Sequence, residues 1–188
     1  MNISKRKAQI GVIVGSLRKD SLNRKMAHAL SKLAPDSLTL EIIEIGQLPL
    51  YNPDIDGDDA PEAFEAFRES IRKTDGLLFL TPEYNRSVPG SLKNALDVGS
   101  RPYGQSVWAG KPGAVISMSP GSLGAFGANH HLRQALVFLD VPAMAQPEAY
   151  IGGAAELFDD TGALVNEGTK EFMTKYMNAF EAWVDTNR

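Results

Sequence analysis

Short apolar runs alternate along this chain with longer stretches in which apolar residues recur at helical spacing. An uninterrupted apolar run fits a strand covered on both faces, whereas the wider spacing fits the buried stripe of an amphipathic helix. Ala8–Val14 is the first predicted strand; Leu22, Met26, Leu30 and Leu33 then mark a helix that Pro35 stops. Leu38–Ile45 is the second strand, and Phe64, Phe67 and Ile71 give the second helix its buried face. Gly76–Leu80 is continuously apolar and suits a central strand; Pro89-Gly90 opens a helix carrying Leu92, Ala95 and Leu96. Gly113–Met118 is the fourth strand, with Leu132, Leu136 and Leu139 on the following helix. Val141–Ala145 reads as a short fifth strand, and Phe172, Met173, Met177, Phe180 and Val184 mark a last helix. This alternation predicts an α/β fold: one open, five-stranded parallel sheet of order 2-1-3-4-5 with helices on both faces, in a single domain over 1–188.

In such sheets ligands bind outside the carboxyl ends of the strands, where strand order reverses. The loops Gly15–Asn23, Pro82–Pro89 and Ser117–Gly124 follow the first, third and fourth strands and so converge on one crevice. The first is a small, hydroxyl-rich turn that opens a helix, where unpaired backbone N–H groups and the helix dipole favour an anion. Ser16, Ser21 and Asn23 add hydrogen-bonding groups and Arg18 a charge-assisted donor. Ser21 reads equally as an ordinary helix cap. Pro82-Glu83-Tyr84-Asn85 offers backbone and amide groups to the polar edge of a flat ring, with Tyr84 beside it. Taken alone, the same tetrapeptide is a Pro/Asn turn with an exposed tyrosine. Dinucleotide and P-loop fingerprints are missing, and Gly121, Gly124 and Gly127, three apart, fit neither. A hydroxyl-rich turn with one arginine suits a terminal phosphomonoester better than a pyrophosphate, and FMN is the common cofactor of that description.

Composition removes other classes. The net charge of −4 is mild and shows no basic stripe, which argues against nucleic acid as the main partner. The chain has no cysteine, so thiolate catalysis, disulfides and Cys-ligated metals are excluded. No apolar run is long enough to span a membrane. Lys5-Arg6-Lys7 before Ile10–Val14 faintly imitates a signal peptide, but the apolar stretch is short and runs into Arg18-Lys19-Asp20 without a cleavage site. A cytoplasmic location is expected, and the triplets Asn2-Ile3-Ser4 and Asn85-Arg86-Ser87 then carry no glycosylation meaning. His28, His130 and His131 read as structural or surface groups, and no cluster has metal-ligand spacing. The Asp/Gly/Pro-rich loop Gly46–Pro61 reads as an exposed excursion with no assigned role.

Gly15-Ser-Leu-Arg-Lys-Asp-Ser-Leu-Asn23, Leu48-Pro-Leu-Tyr-Asn-Pro-Asp54, Thr81-Pro-Glu-Tyr-Asn85, Pro89-Gly-Ser-Leu-Lys-Asn-Ala-Leu-Asp97, Ser100-Arg-Pro102 and Ser119-Pro-Gly121 together carry a resemblance. His131-Leu-Arg-Gln134 and Pro147-Glu148 add to it. The chain resembles the NAD(P)H-dependent FMN reductases, most closely their chromate- and quinone-reductase branch. The resemblance implies a flavodoxin-like fold with non-covalent FMN and a homodimer or homotetramer with the flavin near a subunit interface. It implies phosphate contacts from the Gly15 turn through Ser16, Arg18, Ser21, Leu22 and Asn23, and ring contacts from Pro82, Glu83, Tyr84 and Asn85. Ser117 and the turn after it are implied near the ribityl chain or ring. Arg101 matches a position at the mouth of the site, where its charge would draw in an anionic acceptor; the plainer alternative is an ion pair with Asp97. Two positions depart from the pattern: Val98 stands where many members have Trp, and Gly127 where many have Arg.

The implied activity is transfer of hydride from NAD(P)H through FMN N5 to quinones, chromate or similar small oxidants in a ping-pong cycle, with no protein acid, base or nucleophile. Competing readings are a flavodoxin-type one-electron carrier, which a strongly acidic flavin-side face would favour, a flavin reductase that releases reduced FMN, and an FMN-free docking domain.

Overall fold

The chain folds as five strands and five principal helices: β1 (Ala8–Val14), α1 (Leu22–Leu33), β2 (Leu38–Ile43), α2 (Glu62–Arg72), β3 (Gly76–Thr81), α3 (Gly90–Gly99), β4 (Gly113–Met118), α4 (Phe126–Phe138), β5 (Ala149–Ile151) and α5 (Glu167–Asn187). The structure is a computed structural model describing residues 6–188; Lys5 and the Asn2-Ile3-Ser4 triplet lie outside them. All pairings are parallel and the order is β2-β1-β3-β4-β5, as expected for a flavodoxin-like sheet.

β3 and β4 are buried at every position, so strand alternation sorts their side chains between two cores. Leu78, Leu80, Ala114, Ile116 and Met118 pack with Met26 and Leu30 of α1 and Met177 and Phe180 of α5. Leu77, Phe79 and Val115 pack with Phe64, Leu92 and Leu132 of α2, α3 and α4, together with Trp108. α1 stops at Leu33 because Ala34 precedes Pro35 and takes the extended conformation (φ −65°, ψ 145°) that a following proline favours.

The fifth strand is displaced from its expected place. Val141–Ala145 contributes a single bridge, Gly113 to Ala143, and the strand proper is Ala149–Ile151, paired with Ile116–Met118. Pro142 and Pro147 lack the N–H a ladder requires, so the edge of β4 is covered in two pieces. β2 ends at Ile43 rather than Ile45, although Ile45 stays buried.

The Gly46–Pro61 segment is anchored rather than free. Tyr51 N–H donates to Asn94 Oδ1 at 2.7 Å, and Asn94 Nδ2 donates to the Pro49 carbonyl at 2.8 Å. Asp56 accepts both Arg68 Nη1 (2.9 Å) and Nη2 (2.6 Å), with each side chain only 3% exposed. Arg68 Nε donates to the Val98 carbonyl at 3.0 Å, tying the loop, α2 and α3 together.

Candidate functional site

At the end of β1 the chain turns over buried Gly15 and Ser16 into α1. Gly15 N–H donates to the Leu80 carbonyl at 2.8 Å, and its own carbonyl accepts Ser91 Oγ at 3.1 Å. Ser21 does cap α1: its Oγ accepts Arg24 N–H at 3.2 Å. The cap takes one amide of the first turn and leaves those of Leu22 and Asn23 for an outside acceptor, so both readings of Ser21 hold together. The Asn23 side chain is 3% exposed; its Nδ2 reaches the Met118 carbonyl only at 3.5 Å, and its Oδ1 is buried without a partner among the described residues. Arg18 is exposed and pairs with none of the described carboxylates.

After β3 the chain makes a two-residue hairpin. Tyr84 and Ser87 exchange backbone hydrogen bonds of 2.9 and 3.0 Å around Asn85 (φ 50°) and Arg86 (φ 66°). Two successive left-handed residues define the type I′ turn that matches strand twist. Tyr84 is left 51% exposed at the cleft. The Glu83 carboxylate turns toward α4: Oε2 accepts Ala128 N–H at 3.1 Å and Oε1 accepts Arg86 Nη1 at 3.3 Å.

Ser16, Arg18, Ser21, Leu22, Asn23, Pro82, Glu83 and Tyr84 line one cleft of about 170 Å³, closed on the β4 side by Met118, Ser119 and Pro120. Asn85 stands at the exposed hairpin tip and Gly15 behind the cradle. Three loops from β1, β3 and β4 therefore meet as their strand positions require.

Ser117 is the exception. It shares the sheet face of Val115, covered by α4, whereas the phosphate turn opens α1 on the other face. Its fully buried Oγ donates to the Gly124 carbonyl at 2.7 Å and accepts Asn129 Nδ2 at 3.1 Å, so the hydroxyl braces the β4 loop from behind. Met118, next in the strand and on the α1 face, lines the cleft instead. Asn129 is also fully buried, and one polar residue on an apolar helix face carries no sequence signal of that role. Arg101 lies outside this cleft, with Nη1 near its neighbour Ser100, and the alternative pair with Asp97 does not form because Lys93 holds that carboxylate at 2.8 Å. His131 Nδ1 meets Ser87 Oγ at 3.0 Å, and His130 Nε2 meets Tyr150 Oη at 3.1 Å. Burial, with the Glu148 carboxylate adding to it, pushes the Tyr150 phenol up to about 12, so it stays protonated at neutral pH. No group of metal-ligating side chains occurs among the described residues.

Residues 8–156 match the family described as NADPH-dependent FMN reductase. The chain belongs to that family. It is 63% identical over 179 residues to a quinone reductase from Pseudomonas putida, covering 95% of this chain and 96% of that protein. It is 49% identical to a 2-hydroxy-1,4-benzoquinone reductase from a Burkholderia species, covering 96% and 98% of the two chains. FerB from Paracoccus denitrificans, a flavoenzyme NAD(P)H:(acceptor) oxidoreductase, superposes with a TM-score of 0.90 at 44% identity over 96% of this chain and 98% of that one. The protein is thus an oxidoreductase that uses FMN with NAD(P)H as electron donor. The family's cofactor fits the donor set: free N–H groups, a hydroxyl and a guanidinium suit its phosphate. The orphaned Asn23 Oδ1 is an acceptor that a ribityl hydroxyl can satisfy.

Proposed function

We propose that this chain is a quinone reductase working by two-electron transfer, with FMN held in the cleft of the β1, β3 and β4 loops. The observation that carries the placement is the buried, unpartnered Asn23 Oδ1 beside the open first turn of α1. Ser16, Arg18, Ser21, Leu22 and Asn23, over Gly15, hold the phosphate, and Pro82, Tyr84 and Asn85, with the backbone of Glu83, hold the ring side. FMN held by these residues would supply the two-electron redox chemistry between NAD(P)H and the acceptor. The chain's residues would position the ring, with Pro82 and Met118 of the cleft wall keeping water away from it. No histidine lines the cleft; of its two carboxylates Asp20 is exposed beside the phosphate turn and Glu83 is engaged by α4, which accords with chemistry that needs no protein acid or base. The names of the two close relatives support quinones as acceptors; chromate and other small oxidants extend the same reading. Arg101 has no carboxylate partner among the described residues, so its charge is available to an anionic acceptor.

We further place the protein in the cytoplasm as a homodimer or homotetramer, self-associating through the face where Val137 (79% exposed) and Phe138 (84%) end α4. The test is anaerobic mixing of FMN-loaded protein with NADH or NADPH, followed by visible flavin absorbance. Rapid, complete bleaching that a quinone reverses, cycle after cycle, is expected. Slow bleaching through long-wavelength absorbing species would instead mark a one-electron carrier. Loss of FMN on reduction would mark a flavin reductase.

A further inference from the structure

Helix α4 begins without a cap of its own. Its N-cap residue is Ala125, left-handed at φ 59°, and no side chain from its own segment accepts from the first turn. The missing acceptor comes from another loop: Glu83 Oε2 accepts Ala128 N–H at 3.1 Å, and the Glu83 side chain is only 13% exposed. The next residue, Asn129, donates from Nδ2 to Ser117 Oγ, which donates in turn to the Gly124 carbonyl at 2.7 Å. Asn129 Oδ1 is itself fixed by Arg133 Nε at 2.9 Å. One helical turn therefore grips the β3 loop through Glu83 and the β4 loop through Asn129.

Gly127 makes the first grip possible. A Cβ there would lie 2.9 Å from the Arg86 carbonyl oxygen and 3.0 Å from Glu83 Oε2, so any side chain pushes the hairpin off the helix. One of the two positions that depart from the family pattern thus lies at the contact surface between α4 and the hairpin carrying Tyr84.

We propose that Glu83 is a positioning residue: its carboxylate, capping α4 across Gly127, sets where the Tyr84–Asn85 hairpin stands against the ring. This rests on FMN occupying the cleft as proposed above. The side chain acts through Ala128 N–H and needs no contact with the ring. A mobile hairpin would hold oxidised and reduced flavin with a different ratio of affinities, which a fold brace alone would not alter.

The test compares wild type, Glu83→Ala, Glu83→Gln and Gly127→Ala as full-length FMN-loaded protein. Three quantities are read: the FMN dissociation constant, the two-electron midpoint potential, and kcat against KM for a neutral quinone. Amide exchange at Ala128 in the apoprotein reports the cap directly. Glu83→Ala should speed exchange at Ala128, weaken FMN at least tenfold and raise the quinone KM more than it lowers kcat. Its midpoint should also move, a tenfold change in the affinity ratio reading as about 30 mV. Glu83→Gln keeps a carbonyl oxygen for Ala128 and should stay within twofold of wild type, while Gly127→Ala should follow Glu83→Ala. If wild type binds FMN and Glu83→Ala matches it in affinity, midpoint and KM, this inference falls alone. The same holds if Glu83→Gln is as impaired as Glu83→Ala. A wild type that takes up no FMN overturns both this and the proposed function.

Discussion

Replacing Asn23 by leucine should move two measured quantities in opposite directions. The residue is 3% exposed, its Oδ1 has no partner among the described residues, and its Nδ2 contact of 3.5 Å is at the limit of a hydrogen bond. Leaving a buried acceptor unmade costs about 1–3 kcal/mol, and an apolar side chain of similar volume removes that cost. The Nδ2 contact given up is too long to offset much of it. The apoprotein of Asn23→Leu should therefore be as stable as wild type, or more stable by about 1 kcal/mol. A ligand that supplies a hydroxyl to Oδ1 loses the same interaction, so FMN binding should weaken by roughly 5- to 150-fold, the equivalent of about 1–3 kcal/mol. Urea unfolding of the apoprotein gives the first number and quenching of FMN fluorescence gives the second. A parallel fall in both would make Asn23 an ordinary structural residue. Unchanged FMN affinity would remove it from the site.

Arg68→Met should cost about 3–5 kcal/mol in urea unfolding, because Asp56 is left charged and buried, and adding Asp56→Asn should restore part of it. Gly124→Ala puts a Cβ 2.5 Å from the Tyr150 backbone at φ +57°; left-handed strain and overpacking together should lower stability by about 2–5 kcal/mol, read as a shift of the urea midpoint. Phe138→Glu should reduce the mass measured by light scattering toward that of one chain without loss of FMN, and an unchanged mass would move the self-association face elsewhere. Arg101→Ala should raise KM for an anionic acceptor at least threefold at low salt and leave a neutral quinone unaffected, since a cation with no carboxylate partner among the described residues acts through charge. Equal effects on both acceptors would refute that role.

Much of this architecture is legible before any coordinates. β1 and β4 coincide with their largely apolar runs because strands covered on both faces bury nearly every side chain, and Pro35 ends α1 by a local rule. The phosphate turn is equally local, since a helix start and its donors are neighbours in sequence. What escaped was non-local. In a strand buried on both sides, alternation shows that Ser117 and Met118 face opposite ways but not which of them faces the cleft; that depends on which face α4 covers. Glu83 reads as a ring-loop residue until it is known that α4, more than forty positions later, lacks a cap. Val141–Ala145 has strand composition, but Pro142 within it and Pro147 just beyond it limit its pairing to one bridge, so the fifth strand forms later than the composition indicates.

The Arg68–Asp56 pair also bears on how the protein meets a protease. An Asp- and Gly-rich segment such as 46–61 has the composition of a cleavage site, yet opening it requires two charges and the Asn94 contacts to return to water together. Nicking near these anchors is therefore expected to follow their release from α2 and α3 rather than local fluctuation. Nicking is expected earlier at the turn around Tyr103, which is 90% exposed and carries no buried ion pair among the described residues.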